Sequence, residues 1–429
     1  MASNPVEALL GKLDSIQLRI IDALGSKTIV LVALAIGFGL YAAAIIATPY
    51  SGDDLINKDI REYLATHETS LGEVIVSYTG WWMQSQGRFF PGSLSWTYTL
   101  FYVFDSRIEY KIVLVAVAIA AVAVASALAW AISRNRSVPA VFALLALSTL
   151  QVRAWYDGLT SYAGLLPLTT ALALGACLIL IKRPGVVWGI VAGFAYLYAL
   201  FTYETTLLFA PALVAVVYMV TRSWRRTVPI IIPALVEAAI AVSLRVTMVP
   251  TEAPAYTLNF ALGDVTRALF RQMTAAIPLS QWWYGYPGVS PIPNVLIVLV
   301  AVFLGIPTFF AVRAFGRRRV EVPRFAAPLL LGTGAWIWLS SSALVSVTSL
   351  WQTEMPAGQG YLAVIYGYFS LTMILTGLWI LGNRRFIGAT ATGKEIPRSL
   401  GSLLWQYSSA LVIASLLVLT IAGNLSLVD

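Results

Sequence analysis

Apolar runs of about twenty residues recur along almost the whole chain, and they constrain its fold more than any other feature. Wound as a helix, a run of that length crosses a hydrocarbon layer roughly 30 Å thick. Too little polar sequence lies between the runs to cover a water-soluble core. Hydrophobic residues make up 59% of the 429 positions and charged residues 11%, a balance that excludes a soluble globular domain. The expected fold is an all-α integral membrane protein, a polytopic bundle of about 11 transmembrane helices. The spans are expected at 28–48, 111–132, 138–152, 164–181, 185–202, 205–221, 228–247, 292–313, 325–347, 361–381 and 401–423. No internal repeat or low-complexity stretch divides them, so 1–429 reads as one membrane domain.

Charge sets the expected orientation. Residues 1–27 read as an amphipathic cytoplasmic helix, with Val6, Leu9, Leu10, Leu13, Ile16 and Ile20 on one face and Lys12, Asp14, Arg19 and Asp22 off it. The run Lys27 to Ala47 is too long for the apolar part of a secretory signal and is read as retained. Pro91 to Phe104 is short and rich in Ser, Thr and Tyr. Treated as an interfacial or re-entrant piece, it leaves Arg134, Arg136, Lys182, Arg183 and the clusters at 222–226 and 313–319 all on the cytoplasmic side. The clusters are then topology signals, with anionic lipid as a second role. The net charge of +8 needs no nucleic acid to explain it. The one cysteine, Cys177, sits in an apolar run, so one chain forms no disulfide or cysteine metal site. The lone His67 likewise excludes a multi-histidine zinc site.

Chemistry concentrates in the first outer loop, 49–110, which begins Thr-Pro-Tyr-Ser-Gly-Asp-Asp and continues into Trp-Trp-Met-Gln-Ser-Gln-Gly-Arg at 81–88. Asp53 and Asp54 come directly off the first span. From Asp53 to Leu64 the pattern predicts an amphipathic helix with Ile56, Ile60, Tyr63 and Leu64 on one face, capped by Ser51 or Asp53. A second interfacial helix is expected from Glu73 to Gln84. A carboxylate at headgroup level can act as general base toward a hydroxyl, or the pair can hold a divalent cation such as Mg or Mn.

An Asp-Asp pair just after the first span, followed by two surface helices in a long first outer loop, resembles the GT-C glycosyltransferases. The elements at 81–88, Trp-Tyr-Asp-Gly…Ser-Tyr at 155–162 and Tyr-Glu at 203–204 are similar, more narrowly, to the GtrII-type branch. The likeness fades after about residue 250. It implies a multi-pass enzyme of a bacterial inner membrane. Such an enzyme moves a sugar from a polyprenyl-phosphate donor to a glycan or lipid acceptor on the extracytoplasmic face, with inversion. Asp53, with Asp54 beside it, is then the expected base. The leaving phosphate needs cations, and Arg88 and Arg153 are the favoured ones, with Arg271 and Lys58 behind them. Asp157, Glu204, Tyr156, Tyr162, Trp82 and Gln86 are expected around the sugar or the acceptor. Glu237, near the middle of its span, is expected to pair within the bundle or to serve an ion pathway. A transporter or flippase of lipid-linked saccharides, or a polysaccharide polymerase, are the rival readings.

Overall fold

A computed structural model describes residues 26–247, 257–287, 289–316, 321–387 and 400–427. The helix expected over 4–25 and the arginines at 317–319 lie outside the described residues. Those that are described form helices and no strand, apart from one isolated bridge between Leu258 and Thr348.

The longer helices are α1 (Ser26–Ala47), α2 (Leu71–Gln86), α3 (Pro91–Val103), α4 (Arg107–Ser133), α5 (Ser137–Thr149), α6 (Leu165–Lys182) and α7 (Val186–Thr202). They continue as α8 (Ala210–Thr221), α9 (Val228–Thr247), α10 (Leu262–Ala275), α11 (Asn294–Gly316), α12 (Ala326–Ser346), α13 (Val364–Ile387) and α14 (Leu400–Ser426). Among the described residues, eight segments are long and apolar enough to cross a membrane, and α5, α7 and the first part of α9 are shorter apolar helices. This is a multi-pass helical membrane protein. α3 is not among those helices: its thirteen residues pack against α7 and α2.

The chain passes back and forth between two ends. One end carries 48–106, 150–164, 257–293 and 347–363; the other carries the short turns at 134–136, 183–185 and 222–227. At the loop-rich end, side chains close the helix termini whose carbonyls no intrahelical bond can reach. Arg107 donates to the carbonyls of Ile46, Ala47 and Thr48 at the end of α1.

Two local expectations are corrected. The run after Gly52 is not one helix but two short ones, Asp54–Asn57 and Ile60–Thr66, so Ile60 and Leu64 are buried while Ile56 faces out. Asp53 stands at the first cap position, yet its side chain makes no capping bond. The second helix starts two residues earlier than the sequence indicates, because Ser70 and Glu73 form a reciprocal capping box. Those bonds from the Ser70 amide and hydroxyl, with Thr69, lower the Glu73 pKa.

Candidate active site

Asp53 and Asp54 are neighbours in sequence but face opposite ways. Asp54 is fully buried: one carboxylate oxygen accepts the Tyr110 hydroxyl at 2.7 Å and the other accepts the Tyr162 amide at 2.9 Å. Burial raises its pKa, against the Tyr110 hydroxyl, the Lys111 ammonium and the backbone amides, all of which favour the ionised form. Nearby, Lys111 donates to the carbonyls of Pro49, at 2.9 Å, and Thr160. Together these bonds tie the 49–54 segment to the 157–164 turn.

That turn carries backbone strain. Tyr162, Ala163 and Gly164 are consecutive left-handed residues with φ of 56°, 50° and 64°, and Tyr156 has φ of 43°. For non-glycine residues this costs about 1–3 kcal/mol each, which the surroundings must offset. Asp54 holds the Tyr162 amide, Tyr110 accepts from the Ala163 amide at 2.9 Å, and Trp96 donates to the Ala163 carbonyl at 2.8 Å. Asp54 is thus a positioning residue.

Asp53 is exposed, and its side chain has no hydrogen-bond or ion-pair partner among the described residues. Even so, enough protein surrounds its carboxyl for desolvation to raise the pKa. The two carboxylates do not fit a shared metal ion, since both Asp54 oxygens are engaged in the interior. Among the described residues, no group of three or more His, Cys, Asp or Glu side chains gathers elsewhere.

A cavity of about 280 Å³ opens close by. Gly87, Arg88 and Phe89 form one wall, and Tyr203 with the short 3-10 helix Glu204–Phe209 forms another. A third is one face of α9, where Glu237, Ile240, Ala241 and Leu244 recur at helical spacing. Trp351 and Tyr361 close it, stacked with centroids 3.7 Å apart. Arg88 is placed there by the way α2 ends. Gly87 takes a left-handed conformation (φ 60°), and the Arg88 amide turns back to the Trp82 carbonyl at 3.3 Å. The guanidinium bonds Glu204 at 2.7 Å and lies over the rings of Phe90, at 4.8 Å, and Trp82, at 5.7 Å. The second Glu204 oxygen is buried without a hydrogen bond, and so is one oxygen of Glu237. Glu237 is 2% exposed and lines the same cavity as Glu204. Sequence reading left Glu237 as a mid-span acid; its helical register with Ile240, Ala241 and Leu244 was the available signal for a lined cavity.

Asp53 does not line this cavity. An aromatic run leads from the Asp53 side toward it, starting at Tyr162, whose ring packs against Gly52 and whose buried hydroxyl has no hydrogen-bond partner among the described residues. Tyr156 stacks on Tyr162 at 6.1 Å and meets Tyr361 at 6.0 Å, continuing the aromatic wall.

Other expected site residues fall elsewhere. Arg153 is buried, donating to the Tyr368 hydroxyl at 2.5 Å and to the carbonyls of Gly358, at 2.7 Å, Gln359 and Ala275. Its nitrogens hold loop backbone and leave little for a phosphate. Arg271 donates to the Met355 carbonyl at 3.0 Å, and Lys58 faces Asp59 on the surface. Asp157 is buried and caps its own turn, accepting from the Leu159 amide and the Thr160 hydroxyl, with burial raising its pKa. For Arg153 and Asp157 the physical reason is that a buried polar group is expensive unless bonded, so it is used first to satisfy the fold. Gln86 is buried next to the cavity wall with its carbonyl oxygen unpartnered, and Trp82 acts through its ring against Arg88.

Comparison with protein-family models, curated proteins and solved structures gives no match, so the reading of the site rests on its own geometry.

Proposed function

We propose that this chain is a GT-C-type glycosyltransferase of a bacterial inner membrane, acting on the extracytoplasmic side and spanning the bilayer about 11 times. It moves a sugar from a polyprenyl-phosphate donor to a glycan or lipid acceptor. The observation that carries the reading is the cavity wall, where a partly buried arginine is paired with Glu204 and shares a largely apolar lining with Glu237, each carboxylate keeping an oxygen with no hydrogen bond among the described residues. A sugar phosphate on a lipid tail has groups for each part: an anion for Arg88, hydroxyl donors for Glu204 and Glu237, and hydrocarbon for Leu207, Leu208, Ile240 and Leu244.

In this reading Arg88 offsets the charge growing on the leaving phosphate, where a preorganised cation acts most strongly. Asp53, with no internal partner, takes the proton of the acceptor hydroxyl as that oxygen attacks the anomeric carbon. The carbon–phosphate-oxygen bond breaks on the opposite side, so a single displacement inverts the centre. Tyr162, stacked on Tyr156, which in turn meets Tyr361 of the cavity wall, supplies aromatic surface along the way from the base to the cavity. Binding of a polyprenyl phosphate to the purified protein tests the cavity assignment: Arg88→Gln weakens it about tenfold or more, and unchanged binding in a folded Arg88→Gln protein contradicts the assignment.

A second reading, a transporter of lipid-linked saccharides, draws on Glu237, since an intramembrane acid marks many ion pathways. Its test is movement of substrate across sealed vesicles with no covalent product.

A further inference from the structure

At the other end of the bundle from Asp53, α6, α7 and α9 enclose a hollow of about 570 Å³. Its walls are apolar: Val186, Ile190, Phe194 and Leu197 on α7 face Val228 and Ile232 on α9. The trough exists because α7 is bare where the helices meet. Gly189 and Gly193 lie one turn apart, and a Cβ on either would come to 3.4 Å from Pro229. Val186, Phe194 and Ile232 point outward and are exposed, as on a surface that meets hydrocarbon.

Arg183, Arg225 and Arg226 also line the hollow, and they stand in or beside the turns where these helices end. Arg183 lies over the Trp188 ring at 5.6 Å. Arg226 donates through one nitrogen to the carbonyls of Leu180 and Ile181 at 3.3 and 3.4 Å, and Arg225 is exposed. No carboxylate lines the hollow, and none of the three arginines is in an ion pair among the described residues. Arginines that only fixed the chain's orientation would need no trough beneath them. A positive mouth at helix-end level over an apolar furrow is complementary to an anionic head on hydrocarbon tails.

We propose that this groove is a binding site for a bilayer phospholipid with an anionic headgroup. Arg225 and Arg226 hold the phosphate, Arg183 flanks it, and an acyl chain lies along Gly189, Gly193 and Phe194. The site is independent of the reaction carried at the opposite end. The test is native mass spectrometry of the full-length protein, released from detergent after exposure to equal amounts of phosphatidylglycerol and phosphatidylcholine of the same chain length. The wild-type protein retains phosphatidylglycerol in preference, and Arg225→Gln with Arg226→Gln lowers that retention about tenfold. Monodispersity and melting temperature of the variant are followed in parallel. Equal retention of the two lipids by the wild-type protein overturns the proposal, a comparison that needs no variant. So does undiminished phosphatidylglycerol in a folded double variant, or its displacement from the groove by a polyprenyl phosphate.

Discussion

Asp53 and Asp54 differ at the scale of single residues in a way that mutation separates. Asp53→Asn removes a base with no structural partner, so transfer falls about 10²–10⁴-fold while thermal unfolding stays where it was. Asp54→Ala acts the other way. It orphans the buried Tyr162 amide and removes the Tyr110 hydroxyl's acceptor, each loss costing about 1–3 kcal/mol, and is read as a lowered melting temperature. The pH profile follows Asp53. A base works only when deprotonated, and desolvation by the surrounding protein has moved this carboxyl above the ordinary aspartate value of 3.8. Transfer is therefore lost as the pH falls through a midpoint above that value, and a rate limb centred at or below it would contradict the assignment. In the sequence the two aspartates are indistinguishable, as are Arg88 and Arg153. What separates them is partners: Glu204 lies 116 positions from Arg88, and carbonyls more than a hundred positions away occupy Arg153. Local pattern reaches neighbours on one helix face and carries no signal for such pairs.

Packing between elements depends on a few close approaches. Gly92 lets α3 lie on the end of α7: a Cβ there would stand 2.7 Å from the Thr202 hydroxyl and 3.0 Å from the Phe201 carbonyl oxygen. Because one of those atoms is backbone, Gly92→Val must push the helices apart. It destabilises by about 1–3 kcal/mol, measured by thermal unfolding. Arg153→Met strips donors from the carbonyls of Gly358 and Gln359 in one loop and of Ala275 at the end of α10, and costs about 3 kcal/mol or more in the same measurement. The long apolar helices were legible from hydropathy alone, because lipid demands the same composition from every such helix. The break after Asn57 was not, since Lys58 and Asp59 suit a helix surface as well as a turn.

For the whole molecule, the two ends differ in charge and in content. Lys58 and the acidic loop belong to one end, Arg183 and Pro184 to the other. Lys58→Cys is expected to react with an impermeant thiol reagent on whole cells or spheroplasts and Pro184→Cys only after lysis, with the native Cys177 silent because it is buried. In the proposed reaction Asp53 and the Arg88 cavity, connected through the Tyr162–Tyr156–Tyr361 run, act as a single site of sugar transfer. Turnover in detergent tests it most directly, because solubilised protein encloses no compartment and a transporter has nothing to do there. The measurement is product formed from a panel of polyprenyl-phosphate sugars with a glycan or lipid acceptor, by wild type and by folded Asp53→Asn and Arg88→Gln. The account predicts a glycosylated product from at least one donor with wild type and little from either variant. Full turnover by Asp53→Asn, or no product from any donor with the wild-type protein, would contradict it.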